Sequence, residues 1–232
     1  MKISLLRSFQ FEAAHENRSA TGSERTRRLH GHSYGVTAYI TGVVDAHLGW
    51  LVDFAEVKDN CKPVIDQLDH RVLNDIAGIT DATLPDVQQW LTSRLAAAQT
   101  GFDRCVVRVI GDTQLQPSTV MEGPRARVEF GFAAAHLLPN LPDGHKCRRM
   151  HGHSYHVTVT ARDPQSILTA LPSLYPLVDH RELNKIPGLE NPTAEYLSRW
   201  LWNEFRARDV ETEVVQVNET CTSGCLFRGE ED

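Results

Sequence analysis

An internal repeat constrains this chain more than any other feature. Phe11-Glu-Ala-Ala-His15 returns as Phe132-Ala-Ala-Ala-His136, and Leu29-His-Gly-His-Ser-Tyr34 returns as Met150-His-Gly-His-Ser-Tyr155. Both pairs are offset by 121 residues, so the loop between the two motifs has one length in both copies. Leu68-Asp-His-Arg-Val-Leu-Asn74 returns as Val178-Asp-His-Arg-Glu-Leu-Asn184, offset by 110. Three matches in one order mark a duplicated unit. They predict two homologous domains, 1–117 and 125–232. The boundary falls in Gln116–Pro124, a stretch carrying Pro and Gly without clear periodicity. The second copy is eleven residues shorter between its His-Gly-His and its Asp-His. The expected loss is the counterpart of Gly49–Glu56 and most of the helix after it, with Ser166–Leu171 as a remnant.

Within each copy the periodicity alternates between two and 3.6. Ile3–Ala14 and Ser33–Thr41 read as antiparallel strands. Asp53 caps a helix to about Gln67, Leu84–Ala98 reads as a second helix with Pro85 in its first turn, and Arg104–Ile110 as a third strand. In the second copy Arg127–Ala135, Ser154–Ala161, Glu213–Asn218 and Cys225–Arg228 read as strands, and Thr193–Arg206 as a helix. Strand, strand, helices, strand is an α+β pattern, with an antiparallel sheet carrying its helices on one face.

The conserved spacing of the repeat also carries chemistry. Alternate residues of a strand share a face, so His151 and His153 point the same way, as do His30 and His32. His136 and His15 end the partner strands. Each set of three imidazoles with an open fourth position fits a catalytic zinc (Zn2+) site rather than a structural one. Chance polar strands remain the bland alternative for a single copy. Cys147 lies four residues ahead of His151, beside the expected metal. Thr26 stands at that place in the first copy, and a threonine hydroxyl is far too weak an acid to replace a thiolate. Glu24 lies two residues away from it.

Other classes are set aside by composition. The formal net charge is −6 and there is no long Lys/Arg tract, which argues against bulk nucleic-acid binding. No apolar run approaches membrane length and no signal peptide is visible, which predicts a soluble, cytoplasmic protein. The five cysteines (Cys61, Cys105, Cys147, Cys221, Cys225) lack a framework spacing and read as reduced thiols. Cys61 and Cys105 fall on apolar faces. Cys221 and Cys225 have no second pair to make a metal site.

Taken together, Gly144-His-Lys-Cys147, His151-Gly-His153 and Phe132–His136 resemble the 6-pyruvoyl tetrahydropterin synthase family. Ile186–Thr193, Val217–Cys225, Phe227–Glu230 and Thr41–Glu56 extend the resemblance over nearly the whole chain. It looks closest to the 6-carboxy-5,6,7,8-tetrahydropterin synthases of queuosine biosynthesis, a tRNA modification pathway. The resemblance implies two tandem tunnelling-fold (T-fold) domains that join edge to edge into barrels. It implies an oligomer, a trimer of two-domain chains mimicking a hexamer, or a dimer. It implies a zinc-dependent carbon–carbon lyase that converts 7,8-dihydroneopterin triphosphate to 6-carboxytetrahydropterin, acetaldehyde and triphosphate, with no nucleic-acid or membrane partner. The alternatives are the pyruvoyl-forming synthase and a weakly catalytic zinc- or pterin-binding paralogue.

Roles carry over by position. His136, His151 and His153 would hold zinc, with His15, His30 and His32 as a second set. Cys147 would be the base. His180, oriented by Asp179, would relay protons with Glu219. Glu219 and Thr220 would bind the pterin. A carboxylate accepts two parallel hydrogen bonds from the pterin's N–H groups as it would from a guanidinium. Because family sites form between domains, His70 could serve Cys147 in place of His180. Lys146, Arg148 and Arg149 would either grip the triphosphate or form a solvated loop, and nearby cations would favour a Cys147 thiolate. The first copy has Asp112 where the second has Glu219.

Overall fold

The computed structural model describes residues 1–111, 115–122, 125–220 and 223–229. Asp112 and Cys221 lie outside the described residues. The first unit runs β1 (Lys2–His15), α1 (Glu24–Arg27), β2 (His30–Val43), α2 (Phe54–Ile65), β3 (Arg71–Val72), α3 (Leu84–Ala98) and β4 (Phe102–Ile110). Its sheet has the order β3-β1-β2-β4, antiparallel except for the short parallel β3. The second unit runs β5 (Ser118–Glu122), β6 (Arg125–His136), β7 (His151–Ala161), α4 (Pro164–Val178), β8 (Arg181–Glu182), α5 (Ala194–Arg206), β9 (Thr212–Thr220) and β10 (Ser223–Phe227). Its strands lie in the order β10-β9-β7-β6-β5, with β8 also on β6.

The register of the first hairpin in each unit sets up the sites. Phe11 faces Tyr34, Ala13 faces His32 and His15 faces His30. In the second unit Phe132 faces Tyr155, Ala134 faces His153 and His136 faces His151. Cross-strand partners share a face. The three histidines therefore gather at the hairpin end, above a stacked aromatic pair. Phe11–Tyr34 and Phe132–Tyr155 both stack at 4.8 Å between ring centroids. The small Ala13 and Ala134 leave room beside the imidazoles.

Two differences from the sequence reading concern the ends of these elements. The stretch 118–122, read as an aperiodic linker, is β5, paired antiparallel with β6. The helix expected to be mostly lost in the second copy is kept. α4 has 15 residues, and its start is offset from that of α2 by the same 110 residues as the Asp-His pairs. The deletion therefore lies wholly in the β2 end and the loop before α2. Pro172 and Pro176 disguise the helix, since an internal proline removes an intrahelical hydrogen bond. Burial of Ile167, Leu171, Leu174 and Val178 against the sheet outweighs that loss.

The two units meet where β2 and β7 cross. A Cβ placed on Gly31 would lie 2.4 Å from the Gly152 Cα, and one on Gly152 equally close to the Gly31 Cα. Only glycine permits backbones to approach so closely. Beside this crossing the Ser33 amide donates to Ser154 Oγ at 3.2 Å, and the Ser154 amide to Ser33 Oγ at 3.3 Å. Equivalent residues thus exchange bonds across a local pseudo-twofold. Among the described residues no helix is long and apolar enough to cross a membrane.

Candidate active site

Each hairpin end presents three buried imidazoles whose nitrogens have sorted roles. His136 Nδ1 lies 3.0 Å from the Pro192 carbonyl, and His151 Nδ1 2.7 Å from the Arg149 carbonyl. His153 Nδ1 lies 2.9 Å from Glu12 Oε2. Those oxygens accept only, so Nδ1 of His136 and of His151 carries the proton and the Nε2 of each is a bare lone pair. His136 Nε2 and His151 Nε2 then face each other at 3.1 Å. Two lone pairs at that distance call for a cation between them. In the first unit His15 Nδ1 meets the Ala82 carbonyl at 2.7 Å and His30 Nδ1 the Arg28 carbonyl at 2.7 Å. Ligand atoms of each trio lie within 4.8 Å of one another. Both trios fit a divalent metal that prefers imidazole, with second partners orienting five of the six rings.

Burial favours the neutral form of His15, His30, His32, His136 and His151, as ligands must be. It lowers His136 to about 3, with the neighbouring His153 acting in the same direction. It lowers His15 to about 4 and His30 to about 2. His32 and His151 are pushed well down by the same cause.

The Asp-His pairs cross between units. His70 stacks on His151 with centroids 4.2 Å apart, and His180 stacks on His30 at 4.0 Å. A ring nitrogen of His70, Cys147 Sγ and a nitrogen of His151 lie within 4.8 Å of one another. His180 and Asp179 are therefore not beside Cys147 and Glu219 in this chain, where they were expected; His70 and Asp69 are. The reason lies in the backbone. Each Asp-His turn is clamped to a strand of its own unit, β1 or β6, by His70 N to the Glu12 carbonyl and His180 N to the Ala133 carbonyl, both at 2.6 Å. Each His adopts a left-handed φ, 55° and 52°, uncommon for a non-glycine residue, which sends its ring away from its own cluster into the other unit's.

Asp69 Oδ1 lies 2.9 Å from His70 Nδ1 and accepts from the Glu12 amide at 3.1 Å, while Lys146 Nζ reaches Oδ2 at 3.1 Å. Burial alone would raise the Asp69 carboxyl, but these partners outweigh it and hold it below the usual range. In the mirrored place Asp179 accepts from the Ala133 amide and pairs with Arg25 Nε at 2.6 Å.

Cys147 sits in a short 3₁₀ turn, Lys146–Arg148, whose start is capped by His145 Nδ1 accepting from the Cys147 amide at 3.2 Å. His145 thus has a structural role as the cap of this turn. Burial pushes the Cys147 thiol up, and the charges of Glu219 and Asp69 add to it; Lys146 and Arg149 act the other way without prevailing. The protein's own charges therefore favour thiol over thiolate, against the expectation from nearby cations. Those cations are committed elsewhere. Lys146 holds Asp69, Arg149 Nε donates to the His70 carbonyl at 2.9 Å, and Arg148 donates to the carbonyls of Pro139 and Leu141.

Glu219 Oε1 lies 3.3 Å from His153 Nε2, at the end of β9. Burial raises its carboxyl, opposed by His153 and aided by Glu12 and Glu195. Thr220 lines a cavity of about 360 Å³ together with Glu12, Ser33, Ser154, His156 and Asn218, so both units contribute walls. At the first cluster Ser23 caps α1 by accepting from the Thr26 amide, and the Thr26 hydroxyl donates to the Ser23 carbonyl.

Sequence reasoning missed two kinds of residue. Asn74 and Asn184, the last residues of the Asp-His repeats, bond the backbone just past His15 and His136. Their recurrence in the repeat was the signal. Glu12 was passed over because its counterpart is Ala133.

The model of the 6-pyruvoyl tetrahydropterin synthase family matches residues 4–115 and again 125–230. The chain belongs to this family. Its two units are accordingly tandem T-fold domains, each pairing an antiparallel sheet with helices. The chain is 37% identical over 118 residues to the 6-carboxy-5,6,7,8-tetrahydropterin synthase of Synechocystis sp., covering 43% of this chain and 88% of that relative. It is 27% identical over 130 residues to the dihydroneopterin monophosphate aldolase of Pyrococcus furiosus, covering 56% of this chain and 98% of that one. Among solved structures, the 6-pyruvoyl tetrahydropterin synthase of Caenorhabditis elegans aligns at a TM-score of 0.42 and 23% identity, over 47% of this chain and 89% of that one. The family places the chain among lyase-type enzymes of pterin metabolism.

Proposed function

We propose that this chain is a zinc-dependent 6-carboxy-5,6,7,8-tetrahydropterin synthase with one catalytic site, at the C-terminal cluster. The observation that carries the reading is the meeting of Cys147, His151 and His70 from two domains at one point. A base, a metal ligand and a carboxylate-oriented imidazole together are what side-chain proton abstraction needs. The substrates would be 7,8-dihydroneopterin triphosphate and one water, and the products 6-carboxytetrahydropterin, acetaldehyde and triphosphate, in queuosine biosynthesis.

His136, His151 and His153 would hold the metal, which when bound supplies a Lewis acid for the substrate's side-chain oxygens. Cys147, in its thiolate form, would take a proton from the side-chain carbon. His70, oriented by Asp69, would move a proton to and from the departing side-chain oxygens. Glu219, as carboxylate, would accept two hydrogen bonds from the pterin ring, with Thr220 beside it. Apolar packing beneath the imidazoles excludes water from that face. The first cluster lacks a thiol, so His15, His30, His32, Asp179 and His180 would make a metal site without turnover. Copies of the chain would assemble through sheet edges into a ring, a cytoplasmic homo-oligomer whose size light scattering would give.

A second reading has one observation in its favour: the Pyrococcus furiosus relative matched over 98% of its length is named as an aldolase. A metal, a base and an imidazole relay also suit retro-aldol cleavage. The test is to incubate the zinc-loaded chain with 7,8-dihydroneopterin triphosphate and identify products by mass spectrometry, with Cys147→Ala in parallel. Carboxypterin with acetaldehyde, lost in the variant, supports the proposal. A hydroxymethyl pterin with a two-carbon aldehyde marks the aldolase, a pyruvoyl pterin the sister synthase, and no turnover contradicts all three.

A further inference from the structure

We propose that Glu12 is a cross-domain positioning residue for the C-terminal histidine cluster, and that its absence from the mirrored place makes the N-terminal cluster the weaker metal site. The inference rests on the metal dependence proposed above.

The two clusters act as each other's control. Five of the six imidazoles place Nδ1 against an oxygen. Four of those oxygens are backbone carbonyls from the same unit. The fifth is the Glu12 carboxylate, reaching His153 from the opposite domain at 2.9 Å. The same Oε2 also accepts from Ser33 Oγ at 2.6 Å, which fixes the carboxylate in place. The sixth imidazole is His32, the repeat counterpart of His153. Its Nδ1 is buried with no hydrogen-bond partner among the described residues. The repeat explains why: Ala133 stands where the first copy has Glu12, while Ser154 keeps the place of Ser33.

A carboxylate on the far nitrogen fixes the tautomer, aims Nε2 and makes the ligand a better donor. Loss of such a partner typically weakens metal binding about 10- to 100-fold. Among the described residues His32 has none of these aids, and none offers its Nδ1 proton an acceptor when Nε2 is the ligand. Glu12 has a second connection. Its amide donates to Asp69 and its carbonyl accepts from the His70 amide. One residue of β1 therefore holds the Asp69–His70 pair by its backbone and a metal ligand of the other domain by its side chain. At the mirrored place Ala133 holds Asp179–His180 by the same backbone bonds but has no side chain to reach His32, so the side-chain half of this support belongs to the cluster with the thiol.

The test measures zinc affinity by competition with a chromogenic chelator, one cluster at a time. His30→Ala disables the N-terminal cluster and His151→Ala the C-terminal one. The expected result is tighter binding at the C-terminal cluster, by about 10-fold or more. Glu12→Ala in the His30→Ala background should weaken it about 10- to 100-fold, with Glu12→Gln between the two because an acceptor oxygen remains. Glu12→Ala in the His151→Ala background should leave the N-terminal affinity unchanged. Nitrogen NMR of the zinc-loaded protein should show the His153 Nδ1–H signal only when residue 12 offers an acceptor. Equal affinities at the two clusters, or equal weakening of both by Glu12→Ala, would overturn the inference and point to a general interface role. Zinc binding at neither cluster would instead overturn the metal dependence itself.

Discussion

His70 of the first domain lies face to face with His151 of the second, 4.2 Å between ring centroids and 29° between planes. The histidine beside Cys147 and His151 is thus supplied by the other domain. Duplication within one chain makes permanent an arrangement that separate copies would have to find by association. It also frees the two halves to diverge. The first cluster keeps its metal residues and has Thr26 where the second has Cys147, while the second has lost part of a loop outside the site.

The crossing of the two domains depends on Gly31 and Gly152. Gly152→Ala would bring a methyl group to 2.4 Å from the Gly31 Cα and 2.6 Å from the Ala134 carbonyl oxygen. Backbone on both sides cannot yield as a side-chain tip can. We expect a loss of at least about 3 kcal/mol in stability, and weaker metal binding at both clusters together. Thermal unfolding and metal titration of Gly152→Ala check this. An unchanged melting temperature would mean that the crossing is looser than described.

Cys147 belongs by distance to a second possible ligand group, with His70 and His151. If the thiol acts as base, Cys147→Ala should abolish turnover and keep the zinc content of the protein. A drop in zinc content with Cys147→Ala, unmatched at the other cluster, would assign the thiol to the metal instead.

Glu219 must be ionised to accept two hydrogen bonds from a pterin, yet burial raises its carboxyl. Pterin affinity should therefore fall with acidification sooner than for an ordinary glutamate, and KM should rise through that raised value. The folded state holds this proton more tightly than the unfolded one, so ionising Glu219 at neutral pH costs stability. Glu219→Gln should abolish the pH dependence of KM, cut kcat/KM by 100-fold or more, and raise the melting temperature at pH 7. A lower melting temperature would contradict the assignment of cost.

Asp179 behaves in the opposite sense. Burial alone would raise its carboxyl, but His180 and Arg25 lower it to about 2. Its stabilising contribution is full above the ordinary carboxylate range and is lost as pH falls from about 4 toward 2. The shift corresponds to roughly 2 kcal/mol. Asp179→Asn should therefore be less stable than the parent at pH 7, with the gap closing below about pH 4. Denaturant titrations at pH 7 and pH 3 measure it.

Much of this was readable in the sequence because the repeat fixed residue spacing. Period-two alternation put His151 and His153 on one face, and the equal offsets put His15 and His136 opposite them. What the sequence could not show was which Asp-His pair meets which cluster. That depends on the left-handed backbone at His70 and His180 and on the Gly31–Gly152 crossing, neither of which has a local signature. The α4 helix was hidden for a different reason. Pro172 and Pro176 read locally as breaks, and only tertiary burial of Leu171, Leu174 and Val178 overrides them. Glu12 escaped notice because comparing the copies rewards what they share, and its contribution lies in what they do not.

The central claim is that one site does the chemistry and that it borrows its histidine from the other domain. Parallel kinetics of His70→Ala and His180→Ala on 7,8-dihydroneopterin triphosphate test it most directly. The account predicts a fall in kcat of about 10²- to 10⁴-fold for His70→Ala, with zinc retained, and near-parental turnover for His180→Ala. Loss of turnover in His180→Ala with His70→Ala active would contradict it.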